Sequence, residues 1–560
     1  MPVTTVPRKR TRWVKYLILI LLLTFFAFLL SANRLVEPIL RARIHTLITQ
    51  GSDSLYKYQL GNLKANFFGG NIEVESLHLW IDSSQYRKLN KQNALPSLTM
   101  EVNLQKGKIR GLSVFALILG KQIKISEIIS KDANVKITRH LKDKSNPEKT
   151  IPLWKSIQPT IKNIAIDKIN LDGIKLLYKN ADTSESIKLQ FDRCVALFEN
   201  IRIDSAASAD STRIGFAKEI SMQFYDLKFR TADSSYKMKA ELINYSSAKM
   251  LLEVKEFKLQ PTLEGEDFFK TATVQKTRYL VEFKKAVFSN LWLDKFISNN
   301  IIAADSVVMQ EPDIDISTDK TLPSSMENKI GKYPHQILLK SNTLIAIKGI
   351  RIINGKLNNS ERAAKSKKKG SIGFNNINAT ISNITNDARL IKKNSQCIAV
   401  FKANLFGSSP MDVKFIFPLI TMDGNFSAEG NIKNVAGAQL NAVAEPLANV
   451  QIKSLNVQAL SFHVQGDNYS ATSNVQMRYD NLSIAFLKTD EETGIMSTKK
   501  FLTKIFNKFT IYTANPEGGI ERKATGAVYA RVSSKSFFGV VWKAIFFGMQ
   551  DIMLKTGKYG

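Results

Sequence analysis

Cysteine is nearly absent. Two in 560 residues, Cys194 and Cys397, are too few for a disulfide framework. Pairing is the minor alternative, and buried free thiols are the expected state. Histidine is also scarce. The five, His45, His78, His140, His335 and His463, are dispersed, and no His/Cys/Asp/Glu spacing reads as a metal site. No nucleotide-binding glycine loop, nucleophile elbow or zinc-protease motif occurs. Gly349–Lys356 comes near a P-loop, but its spacing is one residue too long and no Ser or Thr follows the lysine. The acidic residues show no paired arrangement. No enzyme activity, cofactor or metal is therefore expected. Helical periodicity is rare from Leu60 to Phe486, with short exceptions at Trp154–Ile157 and Leu291–Asn299. Beyond the first forty residues, no apolar run is long enough to span a bilayer.

Positive charge is abundant. Lys and Arg outnumber Asp and Glu by 79 to 49, a net charge of +30. The basic residues are spread along the chain and not gathered on one helix, which argues against nucleic acid as a partner. Lysine on solvent faces and strand edges accounts for most of them. Attraction to anionic headgroups is the functional alternative.

The one long apolar run lies at the front. Residues 13–32 are about long enough to cross a bilayer as a helix, and only a helix satisfies the backbone there. The basic tail 1–12, with Arg8, Lys9, Arg10 and Arg12, precedes it and places that end in the cytoplasm. The expectation is a single-pass anchor with the bulk sent across the membrane. A cleaved signal peptide is the rival, and it too exports the bulk. Residues 33–58 carry apolar positions at helical spacing and read as a juxtamembrane helix.

From residue 59 to 488 the period is two. Ile72, Val74, Leu77 and Leu79 alternate with polar residues, as do the runs around Met100, Ile166, Leu252, Ile350, Ile377, Phe415, Val457 and Met477. One register recurs: apolar-x-apolar-x-x-apolar-x-apolar. It is strict at Ile72–Leu79, Leu252–Leu259, Ile372–Ala379, Val450–Val457 and Met477–Ile484. The two-residue step would send the apolar set to the other face. A bulge at the step keeps it on one face and bends the strand, so repeated bulges would curl a sheet into a trough. Ile166–Gly173 also looks like Ile347–Gly355, which hints at a duplicated β unit with copies about 180 residues apart.

Polar loops are expected at Asp143–Pro152, Pro312–Pro334 and the basic tip Arg362–Lys369. Residues 489–560 differ from the rest. Lys499–Phe509 is amphipathic at helical spacing, Ala524–Val532 reads as a strand, and Ser536–Leu554 as a very apolar helix. That last helix either caps the β body, lies in a membrane interface or docks on a partner.

The basic tail, anchor and helix lead into Tyr58-Gln-Leu60-Gly61-Asn-Leu63 and Gly70-Asn-Ile72-Glu-Val74. The other end contains Met422-Asp-Gly424-Asn-Phe426, Leu440-Asn441-Ala-Val-Ala-Glu-Pro446, Tyr479-Asp480-Asn481-Leu482 and Lys535-Ser536-Phe537-Phe538. These stretches resemble the two ends of AsmA-like proteins of Gram-negative envelopes. The resemblance implies a mainly β fold: an elongated, curled, antiparallel-rich groove, similar in architecture to TamB and to chorein-type bridges. It implies phospholipid transport towards the outer membrane and outer-membrane biogenesis, and it brings no catalytic residues. The expected partners are phospholipids, the inner membrane, and the outer membrane or an envelope protein through the C-terminal helix.

The physics points the same way. A two-chain lipid hides roughly 30 methylenes, so leaving a bilayer costs up to ~24 kcal/mol unless an apolar surface receives it. The residues expected to line such a groove are Ile72, Val74, Leu77, Leu79, Leu252, Val254, Phe257, Val450, Ile452 and Leu455. The alternative function is a non-catalytic envelope scaffold or assembly factor, whose strands would bury these side chains in a closed core.

Overall fold

The computed structural model describes residues 52–555 except 67–68, 93, 97, 114–121, 141–161, 182–186, 211, 215, 232, 325–326 and 490–495, together with 38, 41, 42, 44, 45, 48 and 49. The expected anchor 13–32, the basic residues Arg8, Lys9, Arg10 and Arg12, the helix at Trp154–Ile157 and the loop at 143–152 lie outside these. Among the described residues no helix is long and apolar enough to cross a membrane. The chain is mainly β. It divides into two compact units after Leu227.

The first unit holds β1 (Tyr56–Leu60), β2 (Leu63–Asn66), β3 (Asn71–Val74), β4 (Leu77–Ile81), β5 (Leu98–Arg110), β6 (Gln122–Arg139), β7 (Asn163–Asn180) and β8 (Ile187–Ile203). Because Tyr56 already starts β1, the helix expected to run to Tyr58 stops short; a turn at residues 52–54 ends it. Strands β3 and β4 both pair with β5, which pairs antiparallel with β6. Strands β6 and β7 run parallel, and β7–β8 is an antiparallel hairpin. Helix α1 (Ser83–Lys91) follows β4. The sequence reading missed it because Leu89 is its one buried side chain, which leaves no apolar stripe. Its start is chemical instead: the Asp82 carboxylate accepts from the Ser84 and Gln85 amides, both at 2.9 Å. Strand β9 (Glu219–Arg230) contains the boundary between the units.

The second unit continues with β10 (Tyr236–Ser246), β11 (Leu251–Pro261), β12 (Thr277–Ser289), β13 (Ile301–Gln310), β14 (Asp313–Asp319), β15 (Leu344–Arg362) and β16 (Lys369–Thr385). It ends with β17 (Gln396–Leu405), β18 (Ser409–Pro418), β19 (Phe426–Ala436), β20 (Val450–Gly466), β21 (Ser470–Thr489), β22 (Met496–Thr498) and β23 (Lys523–Ala530). Neighbours pair antiparallel, except that β13 and β14 both run parallel to β15. Part of the stretch expected as the loop 312–334 is therefore strand β14. Its apolar content is only two isoleucines among aspartates, and pairing with β12 and β15 makes it a strand.

Each strict copy of the two-residue step meets a break in strand geometry. The first separates β3 from β4. Glu256, Asn376 and Asn481 take left-handed φ of 46°, 53° and 57° at three others. The register of β20 shifts at Ser454 in the fifth. The break keeps the apolar set on one face, as two strands demonstrate. On β16, Phe374 before Asn376 and Ile381 after it pack into the same cluster. On β21, Tyr479 before Asn481 and Leu482 after it do likewise. Left-handed residues also recur at comparable places in the two units: Asp132, Gly173 and Asn200 in the first, Glu311, Asn354 and Asn383 in the second.

That cluster is the core of the second unit. The later helices close it: α2 (Pro334–Leu339), α3 (Gly437–Ala448), α4 (Lys500–Phe509) and α5 (Phe537–Met553). Helix α3 lies between β19 and β20. Asn449, left-handed at φ 53°, terminates it, and Asn441 ties it to Ile452 of β20 through two hydrogen bonds. The basic tip between β15 and β16 also docks there: Ser366 Oγ donates to the Pro446 carbonyl at 2.6 Å, while Lys365, Lys367 and Lys368 stay exposed.

His335 of α2 lies inside this core at 2% exposure, stacked on Phe417 at 5.2 Å. Neither ring nitrogen finds a partner among the described residues. Burial pushes its pKa down to about 4. An unfolded imidazole takes its proton near 6.5, so between these values the unfolded chain binds the extra proton and stability falls as pH drops. The loss from pH 7 to pH 4 attributable to this ring is about 3 kcal/mol. In denaturant unfolding across that window, His335→Phe should lose less stability than the native chain by this amount. Equal losses would refute the assignment.

Candidate functional site

The apolar face of the second unit can be followed strand by strand. One row runs Tyr245, Leu252, Phe288, Val307, Ile350, Ile381. The next runs Ile243, Val254, Ala286, Met309, Ile352, Ala379. Phe257 stacks on Phe283, with ring centroids 4.7 Å apart and planes 13° from parallel. A further row runs Met238, Leu259, Val281, Ile314, Leu357, Phe374. Paired residues share a face. The first and last rows end on Ile381 and Phe374, which enter one cluster, so these rows share that face across the kinks at Glu256, Glu311, Asn354 and Asn376.

The opposite face is charged. Glu253 lies between Leu252 and Val254 in sequence and so points away from them. It pairs with Lys285 at 2.5 Å, and that hydrogen bond, with the lysine charge, holds its carboxyl below the usual range. Lys258 pairs with Glu282 at 2.6 Å, and Lys284 with Glu311 at 2.8 Å.

What covers the apolar face differs along the sheet. From β16 onward the helices seal it: Phe537, Val540, Val541, Ala544, Ile545 and Ile552 of α5 are all buried against the strands. No residue of strands β10 to β15 enters a buried hydrophobic cluster. Leu252, Val254, Phe257, Phe283, Met309, Ile350 and Ile352 are each only half-buried, whereas Tyr245, Ala286 and Val307 of the same rows are buried, and the short helix Leu293–Asn299 packs beside β13.

The sequence-derived groove residues distribute accordingly. Leu252, Val254 and Phe257 sit together on the uncovered part. In the first unit, Leu79 opens a row through Val102, Val135 and Leu176 to Phe191. Ile72 opens another through Ile109, Ile128 and Ile169 to Phe198. Leu77 opposes Leu104, and Val74 opposes Gly107 and Leu63. Val450, Ile452 and Leu455 lie on β20 beside α3; a Cβ on Gly437 of that helix would come within 2.8 Å of the Ile452 and Leu455 side chains. Ile452 and Leu455 thus pack against that helix, and all three residues are half-buried. Sequence reading missed Phe283, Met309 and Ile314. The Lys284-Lys285 pair interrupts the alternation of β12, and β13 and β14 are split by Glu311.

A polar hollow of about 560 Å³ lies on the other side of the sealed sheet, lined by Lys414, Glu429, His463, Asn474, Gln476 and Lys523. Lys414 and Glu429 already satisfy each other at 3.1 Å. Both thiols are buried and free, with pKa values pushed up to about 11 by burial, so they are poor nucleophiles. Among the described residues no group of three or more His, Cys, Asp or Glu is placed to hold a metal. No family model and no curated protein matches the chain.

Proposed function

We propose that this is a membrane-anchored, non-catalytic lipid-handling protein of the cell envelope. It receives phospholipid acyl chains on the apolar face of β10–β15 and serves lipid movement between the inner and outer membranes. The observation that carries the reading is a run of largely half-buried cross-strand apolar rows that joins no buried cluster on β10–β15 and is continuous with a face that is sealed elsewhere in the same unit. A soluble domain rarely leaves a large contiguous apolar surface without an occupant. A face of aliphatic and aromatic side chains, kinked at regular places, accepts a flexible hydrocarbon tail and makes no demand on headgroup chemistry. Charged side chains on the reverse face keep that side in water.

The direct test places a photo-reactive benzophenone residue at Phe257 of the full chain in cells and identifies the adducts by mass spectrometry. Phospholipid adducts at this position, and none at the charged-face position Lys258, are expected. Protein adducts alone at Phe257 would overturn the reading and favour the second one, an assembly scaffold. That alternative draws on the sealed portion, where helices fill the face and leave no place for a lipid.

A further inference from the structure

Helix α4 is fastened to the sheet along one stripe only. The Ile484 amide donates to Asn507 Oδ1 at 3.0 Å, and Asn507 Nδ2 donates to the Ile484 carbonyl at 2.6 Å. The Phe486 amide donates to Thr503 Oγ1 at 3.0 Å, and the Phe506 ring meets Phe486 edge-on at 4.9 Å. Thr503, Phe506 and Asn507 share that stripe at helical spacing.

The rest of the helix surface faces outward in two further stripes. Phe501, Leu502 and Ile505 are 79%, 52% and 42% exposed. Lys500, Lys504 and Lys508 form the adjoining stripe and are exposed. The helix contains no acidic residue, and the nearest acids in sequence are Glu492 before it and Glu517 after it. Lys555 adds another ammonium at its C-terminal end, donating to the Lys508 carbonyl at 3.3 Å.

Two anchored stripes would make a buried helix, and a polar outer face would make an ordinary surface helix. This helix has neither. Its exposed side is apolar along one flank and cationic along the other. An anionic bilayer surface complements both at once: the acyl boundary takes the aromatic and aliphatic side chains, and headgroup phosphates take the ammonium groups. We infer that α4 is a bilayer-docking element, inserting Phe501, Leu502 and Ile505 into an anionic membrane surface while Lys500, Lys504 and Lys508 pair with lipid phosphates. This is independent of any lipid held on β10–β15.

The test uses the full chain reconstituted in vesicles of phosphatidylcholine and phosphatidylglycerol at about 3:1, with pure phosphatidylcholine vesicles for comparison. A benzophenone residue replaces Phe501 or, as the control, Thr472, which is exposed on β21. Lipid adducts at position 501 should exceed those at 472 by about tenfold or more in the anionic vesicles. They should fall by about fivefold or more in neutral vesicles, and equally in a Lys500→Gln, Lys504→Gln, Lys508→Gln chain. Equal yields at 501 and 472, or a yield at 501 indifferent to headgroup charge and to the lysines, would overturn the inference. All five positions are on the surface, so an unchanged thermal midpoint shows that each variant is folded. Failure of adducts at Phe257 would leave this result standing, because the two positions report separately.

Discussion

Phe537→Ala should cost the second unit about 3–5 kcal/mol, the largest stability loss expected from a single truncation in this chain. Phe537 begins α5 and is 4% exposed. Its ring lies 4.9 Å from Phe426, 5.3 Å from Tyr333 and from Phe417, and 5.6 Å from Phe415. Truncation leaves a hole bordered by four aromatic rings that belong to strands and to the α2 cap. Strand-borne rings cannot move inward without breaking ladder hydrogen bonds, so the hole stays open and the full cavity cost is paid. Phe538, its neighbour, is 64% exposed, and Phe538→Ala should change stability by less than about 1 kcal/mol. Denaturant unfolding of the two variants side by side measures the contrast. Similar losses would mean that α5 does not seal the sheet as described.

Phe257→Asp combined with Phe283→Asp should empty the uncovered face of lipid. Each phenyl ring offers an acyl chain about 1.5–3 kcal/mol of apolar contact, so the pair accounts for about 3–6 kcal/mol, a weakening of a hundredfold or more. Two carboxylates facing the hydrocarbon would add a desolvation cost. The fold loses far less. The stacked pair contributes about 0.5–1.5 kcal/mol beyond its area, and both positions are half-buried, so the carboxylates remain hydrated without lipid. A benzophenone residue at Val254, on the same face, should then drop to background lipid adducts while thermal unfolding stays cooperative. The conservative pair Phe257→Leu and Phe283→Leu should retain them. Persistent adducts in the aspartate variant would show that lipid does not lie on these rings.

Much of this architecture is written locally. Alternation in Leu252–Leu259 specifies a strand with an apolar side, because successive side chains point to opposite faces. The doubled polar step at Lys255-Glu256, Asn375-Asn376 and Asp480-Asn481 marks where the strand must kink to keep that side inward. Asn376 and Asn481 are residue types that tolerate the left-handed backbone; Glu256 is not, and only its spacing betrayed it. The amphipathic helix at Lys500–Phe509 was legible for the same reason, since its period is carried by ten contiguous residues.

Coverage was not legible. Val450, Ile452 and Leu455 repeat the pattern of Leu252, Val254 and Phe257, yet α3 packs on the first set and the second joins no buried cluster. The parallel pairing of β13 and β14 with β15 was equally hidden, because strands joined by a crossover leave no hairpin signal in the residues between them. Period and kink arise from interactions between near neighbours along the chain, and the sequence by itself determined them. Which apolar face is sealed arises from segments that return from far away, as Phe537 returns to Phe415, and only the tertiary structure decided it.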